Sequence, residues 1–285
     1  MRQYLKNMAK NLIRAFSYIV LGLFFCSFLY GCAPTYPKEK LAESLIGVCK
    51  KEYNLDVQAD VLDKTIVVFI PLDELFNAKL DIIPEAIEKI ESVVLVTSRI
   101  IFSTDAEIDF YMIIAADTKT TAAELILIRC MDDVFKFMHG WIRREDYRQR
   151  VLWEINFDPR HLKKTSFDFN NVERLTLPVF IVKQAVQRLN FTFESSEKYK
   201  AKVKGVYKEQ DQQFYFSLIV ADENKFKNIY TPIILHKIAA VLGNYKFQDF
   251  NQVMVENLLS KKSIIVYKEE LKHYLKMDQI EKVNE

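Results

Sequence analysis

The sequence predicts an α+β fold made of two similar small units, each with a mainly antiparallel sheet packed by helices. Three observations support this: apolar residues at helical spacing alternate with strand-like runs, the same order of elements occurs twice, and 50% of the 285 residues are hydrophobic. That order is helix, strand, strand, helix, strand, strand, helix. The length is sufficient for one large or two small cores.

The first unit is predicted over residues 38–142. Its first helix places Leu41, Leu45, Val48 and Cys49 on one face and ends at Asn54. The remaining elements predicted in this unit are strands near 55–61, 65–72, 109–117 and 123–130, and helices near 84–101 and 131–144. Turns are expected at residues 63–64 and 118–121, so the strands form two hairpins.

The second unit is predicted over residues 178–277. Asn190 is expected to end its first helix, which starts at residue 178. Thr231 and Pro232 are interpreted as the N-cap and first turn of its second helix. The strands assigned to this unit are an alternating run over 191–207 and a buried run over 213–222.

Short segments with similar patterns in the two units suggest an internal duplication. "FIPLDELF" and "LIVADENKF" are each a buried strand followed by an acidic pair, and Pro84 and Pro232 each open the next helix. The alternative is that α+β chains share an element order by chance. The predicted organisation is a signal peptide (1–31), a lipidated tether (32–37), the first unit, a connector (143–177), the second unit and a tail (278–285).

The N-terminus is typical of an exported protein. Four basic residues and no acidic one lie within positions 1–15, and the apolar run 16–30 follows without a charge. A membrane-spanning helix is the rival interpretation, but crossing the hydrocarbon core takes about 20 apolar residues. This run ends at Gly31, which favours a signal sequence.

The end of this segment resembles the lipobox of bacterial lipoproteins. Leu29, Tyr30, Gly31 and Cys32 place a branched apolar residue three positions before a cysteine and a small residue directly before it. The resemblance covers only residues 1–32. It implies cleavage before Cys32, a thioether-linked diacylglycerol on the sulfur and an acyl chain on the new amino group. Two or three chains make a stable anchor, whereas one binds only marginally.

The lipoprotein resemblance also implies an address. Many lipoproteins retained in the inner membrane have Asp after the lipidated cysteine, but Ala33 occupies that position here. We therefore expect a lipid-anchored protein that faces the periplasm, with the outer membrane favoured. The five residues 33–37 reach less than about 20 Å at about 3.3–3.6 Å per residue, so the folded body should lie close to the bilayer.

Charge and glycine content exclude several function classes. Four of the 40 basic residues precede residue 15 and none of the 38 acidic ones precedes Glu39, so the chain from residue 32 carries a net charge of −2. Nucleic-acid binding requires a basic patch, and none is indicated. Only Gly47, Gly140, Gly205 and Gly243 follow the signal, and no nucleotide-binding loop or serine-hydrolase elbow can be written. No cofactor is predicted.

Catalytic and metal-binding signals are weak. The four histidines, at 139, 161, 236 and 273, are far apart and lack a metal-ligand spacing. Asp158 and His161 could share a turn and bind a metal, but a polar loop is the commoner explanation. The carboxylate pairs 105/109, 132/133 and 145/146 are expected to face water, because general acid–base chemistry needs two groups held across a cleft. We predict no catalytic or metal site.

Cysteine and arginine positions leave alternatives open. Cys49 and Cys130 are candidates for a disulfide in an oxidising envelope, with two buried free thiols as the alternative. Arg99 interrupts an apolar run, so it either pairs with an acid at the surface or contacts a buried anion or a partner. Residues 143–150 mix four arginines with Glu145 and Asp146, which favours a solvated helix face.

These observations leave three function classes. The favoured one is a non-catalytic lipoprotein that binds or scaffolds an envelope protein, which predicts an exposed apolar patch. A lipid or apolar-ligand carrier is the alternative and predicts an enclosed apolar cavity. An envelope hydrolase comes third and predicts titratable residues converging in a cleft.

Overall fold

A computed structural model describes residues 35–77, 79, 81–119, 121–157 and 166–276. It confirms the α+β class, with two mainly antiparallel sheets packed by helices. The predictions for the signal segment, Cys32 and its lipobox, the pair Asp158 and His161, and the tail lie outside the described residues.

Among the described residues, the first half of the chain contains a five-stranded sheet and four α-helices. Its elements are α1 (Leu41–Tyr53), β1 (Gln58–Leu62), β2 (Thr65–Leu72), α2 (Pro84–Ile101), β3 (Phe110–Asp117), β4 (Ala123–Cys130), α3 (Met131–Met138), α4 (Arg144–Arg148) and β5 (Leu152–Phe157). Asn54 ends α1 in the left-handed conformation, with φ 53°, as its position in the sequence predicts.

The second half contains a four-stranded sheet. Its elements are α5 (Leu177–Ser195), β6 (Lys204–Lys208), β7 (Gln213–Leu218), a short helix (Glu223–Lys225), a π-helical turn (Phe226–Tyr230), α6 (Thr231–Tyr245), β8 (Gln252–Asn257), β9 (Lys262–Tyr267), α7 (Lys268–Leu271) and a closing 3₁₀ turn (Lys272–Lys276). These elements follow the predicted order of the second unit.

The first four strands of the first sheet share the topology of the second sheet, and β5 is an additional edge strand. The strand order is β1-β2-β3-β4-β5 in the first sheet and β6-β7-β8-β9 in the second. In each set of four strands, β1–β4 and β6–β9, the middle pair is parallel and the two flanking pairs are antiparallel. The parallel pairs are joined by α2 and α6, since a parallel connection needs a crossover. Strand order and direction therefore agree between the units, as a duplication requires.

Other segments of the chain pack on both faces of the first sheet. On one face, the apolar sides of α1 and α2 pack on alternate residues of the strands, such as Ile66, Val68 and Ile113. On the other face, Val67, Phe69 and Met112 are covered by residues 167–180. Phe167 stacks on Phe69 at 4.7 Å and Phe180 lies 5.2 Å from Phe110. The strands are consequently apolar on both sides, as the continuous run 65–72 indicates.

Helix α5 belongs to both cores. Phe180 packs against the first sheet, while Ile181, Ala185 and Leu189 pack with α6 against the second. The first helix of the second unit therefore closes the core of the first unit. The two units therefore pack against each other through α5.

Two predicted helix boundaries in the second unit are wrong. Asn190 does not end α5, because its side-chain amide bonds both backbone groups of Val203 at 2.7 and 3.1 Å and leaves the helix free to continue to Ser195. Thr231 is helical rather than an N-cap. The cap is Asp222, whose carboxylate accepts from two backbone N–H groups, and the π turn precedes Pro232, which lacks an N–H.

The predicted connector also contains an unexpected element. Residues 152–157 form β5, which pairs antiparallel with β4 at the edge of the first sheet. The predicted helix 131–144 is broken at Gly140, with φ +69°, into α3 and α4. A conformation with positive φ suits glycine and interrupts the helix.

Candidate functional site

The second sheet has one covered face and one open face. Its covered face contributes Phe214, Phe216, Val253 and Val255 to the core beneath α5 and α6. The alternate residues of the same strands point away from that core. We call this opposite side the open face.

A row of four apolar side chains crosses the open face. The register pairs Val206 with Tyr215, Tyr215 with Met254, and Met254 with Ile265. Paired residues on neighbouring strands lie on the same face of a sheet at contact distance. Val206 is 48% and Ile265 42% exposed, so the row is apolar surface available to a partner.

Charged side chains flank this row. Lys208 lies above the ring of Tyr215, with Nζ 4.4 Å from the centroid. The Tyr215 hydroxyl donates a hydrogen bond to Glu256, and this bond, followed by burial, raises the pKa of Tyr215. Lys204 stands on the edge strand in the adjacent row, in register with Ser217. Glu256, the acid beside the row, thus accepts a hydrogen bond from Tyr215. Lys204 and Lys208 give the margin of the row a basic character.

The equivalent face of the first sheet is not open. Residues 167–180 and the N-terminal turns of α5 lie on it, with Leu175 and Phe180 buried. The shared topology makes the two faces equivalent, since in both units it is the face opposite the paired helices. Among the residues that the structure describes, no segment occupies the corresponding position on the second sheet.

A second exposed apolar stripe lies on the edge strand β5. Trp153, Ile155 and Phe157 alternate along it and are all exposed. They are in register with Leu127, Leu125 and Ala123 of β4, so they extend the helix-covered face of the first sheet beyond its helices.

A cavity of about 490 Å³ lies on the other face of the first sheet. Its floor is apolar and consists of Met112, Ile114, Ile126 and Ile128, whereas its rim includes Glu124, Glu154, Asp168, Glu173 and Lys183. Lys183 forms ion pairs with Glu154 at 3.2 Å and Glu173 at 3.0 Å. Burial lowers the pKa of Lys183, but the two carboxylates outweigh it and the net shift is upward. The lysine is therefore a charged structural bridge rather than a proton donor.

A buried polar network joins the two units. Asp133 of α3 is 2% exposed and accepts hydrogen bonds from Arg150 at 2.7 Å and from the Tyr245 hydroxyl at 2.5 Å. Gln184 of α5 donates to the Tyr245 hydroxyl at 2.9 Å and to the Arg150 carbonyl at 2.8 Å. Burial and the neighbouring Asp133 raise the pKa of Tyr245, so its hydroxyl stays a donor. The network is a structural lock.

The cysteines predicted as disulfide candidates are both free and buried. Cys49 belongs to the core under α1 and α2, whereas Cys130 belongs to the core on the other face of the first sheet. The sheet separates them, so they do not pair. Burial raises the pKa of Cys49 to about 11 and that of Cys130 to about 12, which keeps both thiols protonated and unreactive at neutral pH.

The other residues singled out in the sequence do not converge on a site. Arg99 pairs with Glu52 at 2.8 Å on the surface, which is the salt-bridged alternative. His139 packs on Phe135 and His236 lies 2.7 Å from the Tyr274 carbonyl. Among the described residues, no group of three or more His, Cys, Asp or Glu side chains is placed to hold a metal ion.

The predicted carboxylate pairs are engaged in local contacts. Arg143 pairs with Asp146 at 3.1 Å and Lys136 with Asp132 at 2.5 Å, both within one helical turn. Asp105 accepts a hydrogen bond from the Lys38 backbone. The partners are single cations or backbone groups rather than a second carboxylate across a cleft.

Comparison of the chain with protein-family models, curated proteins and solved structures finds no match. Within the described ranges, no helix combines the length and the apolar character needed to cross a membrane. The argument for function therefore rests on the chain's own residues. Sequence analysis missed the open face because its residues come from four strands whose register was not assigned.

Proposed function

We propose that the protein is a lipid-anchored component of the cell envelope that binds or scaffolds another protein near the membrane surface and catalyses no reaction. The observation that carries this proposal is the open face of the second sheet. Its equivalent in the first sheet is covered by residues 167–180 of the same chain, and an apolar row left bare is a feature of protein-binding surfaces.

The chemistry of the open face defines the kind of partner it fits. Val206, Met254 and Ile265 supply apolar surface, and Tyr215 adds an aromatic side chain of the type enriched at interfaces. Lys204 and Lys208 lie at one margin. A complementary partner is therefore apolar at its centre and acidic at its edge.

The anchor in this proposal is Cys32, with the body facing the periplasm and the outer membrane favoured. The tether of residues 33–37 is short, and the backbone N–H of Tyr36 already bonds the Ser103 carbonyl at 3.2 Å. The body would thus be held with the C-terminal end of α2 toward the bilayer.

A ligand carrier is the second candidate, and the cavity on the first sheet favours it. The four apolar side chains of the cavity floor suit a small apolar ligand. The carboxylates of Glu124, Glu154, Asp168 and Glu173 at the rim disfavour an acyl chain, because burying charged groups against hydrocarbon is costly. An envelope hydrolase ranks third, since the His139 ring contacts the Phe135 carbonyl and the His236 ring contacts the Tyr274 carbonyl, which are structural roles for both histidines.

Changing Cys32→Ala should abolish lipidation and leave an uncleaved precursor, because the thioether forms on the cysteine sulfur. Cells would be labelled with a fatty-acid analogue and the protein isolated and examined for label and size. Cys49→Ala is the matched control and should keep its label, since that thiol is buried in the fold. Label retained by the Cys32→Ala protein would rule out the lipobox interpretation.

Changing Met254→Lys should prevent partner binding while the protein stays folded. The charge interrupts the apolar row at its centre, and the stability cost at a partly exposed strand position should be below about 1 kcal/mol. A photo-crosslinker placed at Ile265 in intact cells reports the contact. We expect a discrete adduct that is lost with Met254→Lys.

The control for this experiment is Leu259→Lys, which alters an apolar residue that is 60% exposed in the β8–β9 turn, outside the row. Its adduct should match that of the unmodified chain. Identical adducts in all three proteins, at equal abundance and melting temperature, would refute the open face as the binding surface.

A further inference from the structure

The segment between β4 and β5 forms a cap over one end of the first sheet. This cap, residues 131–151, comprises α3, a turn at Gly140 and α4. Its inner side packs Met131, Val134 and Tyr147 into the first core. Its outer side exposes four large apolar residues, namely Phe135, Phe137, Met138 and Trp141. An exposed group of large apolar side chains of this kind indicates an interaction surface.

The exposed aromatic rings are fixed in position. Phe135 lies 5.5 Å from Trp141 in an edge-on arrangement, and the His139 ring is 4.1 Å from Phe135. Trp141 is 66% exposed and Met138 64%. The cap thus presents a preorganised apolar platform rather than scattered surface residues.

The charges of the cap leave an excess of cations. Asp132, Asp133 and Asp146 are paired with Lys136, Arg150 and Arg143 within the cap. Arg144 and Arg148 are exposed and have no salt bridge among the described residues, against the single acid Glu145. The unpaired charge beside the aromatic platform is therefore positive, which complements an anionic surface.

The cap lies at the same end of the first sheet as the first described residues of the chain. The backbone N–H of Met131 bonds the Asp109 carbonyl at 2.8 Å, just before β3 begins. The C-terminal end of α2 lies at that same end, because α2 connects the far end of β2 to the start of β3. Tyr36 pairs with Thr104, directly after α2. The tether to Cys32 and the cap consequently share one end of the molecule.

We infer that the cap is a second membrane contact, with Trp141, Met138 and Phe135 in the interfacial layer of the bilayer and Arg144 and Arg148 at anionic headgroups. Aromatic side chains favour this layer because one part of the ring is apolar and another is polar. Basic residues beside an apolar surface strengthen attachment to anionic lipids. The inference rests on the proposed lipid anchor, which holds the cap near the bilayer.

The test uses the two tryptophans of the chain, Trp141 and Trp153. Full-length lipidated protein carrying Trp153→Phe retains Trp141 as its fluorophore. It would be reconstituted into phosphatidylcholine vesicles containing phosphatidylglycerol, with and without lipids brominated near the headgroup. We expect Trp141 emission to move to shorter wavelength and to be quenched several-fold more by brominated lipid than that of the control.

The control carries Trp141→Phe, Trp153→Phe and Phe157→Trp, which places the single tryptophan at the opposite end of β5. A further variant, Arg144→Glu with Arg148→Glu, should reduce the quenching of Trp141 in the same vesicles. Equal quenching of Trp141 and the control, in protein that cosediments with the vesicles, would overturn the cap inference and leave the anchor intact. Failure to cosediment, together with absent fatty-acid label, would instead reject the anchor.

Discussion

Asp133→Ala is expected to lower the free energy of unfolding by about 3–5 kcal/mol, because it leaves a buried cation without its partner. Arg150 bonds Asp133 at 2.7 Å and its side chain is only 11% exposed. The same carboxylate accepts from the Tyr245 hydroxyl. Removing the Asp133 carboxylate therefore leaves an N–H group of Arg150 and the hydroxyl of Tyr245 without their acceptor. Both groups are largely buried where the two units meet.

Urea unfolding of the full chain provides the measurement, and Asp146→Ala provides the control. Asp146 pairs with Arg143, whose side chain is 81% exposed, and exposed pairs contribute about 0–1 kcal/mol. Tyr245→Phe should fall between the two, at about 1.5–3 kcal/mol for a hydrogen bond to a charged group. If Asp133→Ala and Asp146→Ala cost the same, the network does not lock the units together.

Strands buried on both faces were predicted closely. Residues 65–72 and 123–130 are β2 and β4 with the predicted bounds, because long apolar β-branched runs admit few other structures. Asn54 and Asp63 mark turns as expected, each with positive φ. Local side-chain chemistry decided these positions, so the sequence was informative there.

Elements governed by distant contacts were not predicted. Asn190 would end a helix in isolation, but the backbone of Val203 satisfies its amide and the helix continues. Asn257 holds both backbone groups of Val220 in the same way, which draws the chain out of β7 earlier than the apolar run indicates. Such contacts join residues that are more than ten positions apart.

The open face shows the same limit for the candidate site. Val206, Tyr215, Met254 and Ile265 form a row only through the register of three strand pairs. Each lies in an ordinary alternating strand pattern, which indicates a face but not its neighbours. That the equivalent face of the first sheet is covered depends on α5 crossing between units. No local sequence motif indicates either fact. The sequence therefore predicted an exposed apolar patch but not the residues that form it.

Gly205→Ala is expected to destabilise the second unit, because α5 packs directly on β6 at this glycine. A Cβ there would lie 2.8 Å from a methyl group of Val186, and 2.9 Å from both Val182 and Phe216. The two valines are β-branched and stiff, so they cannot rotate away. Overpacking of this kind costs about 1–3 kcal/mol, and the lower entropy of the unfolded alanine chain offsets about 0.4–1 kcal/mol. We expect a net loss of about 1–2 kcal/mol.

Gly47→Ala is the matched control for the same exchange. Gly47 lies within α1 and a Cβ there would meet no atom within 4 Å. Alanine favours a helix interior over glycine by about 1 kcal/mol, so this variant should become more stable. Urea unfolding should show a lower free energy of unfolding for Gly205→Ala and a higher one for Gly47→Ala. This difference would show that the contact between α5 and β6, rather than the loss of glycine itself, decides the outcome. A stabilised Gly205→Ala protein would mean that α5 does not approach β6 this closely. Helix α5, which closes the first core, would then pack differently on the second sheet.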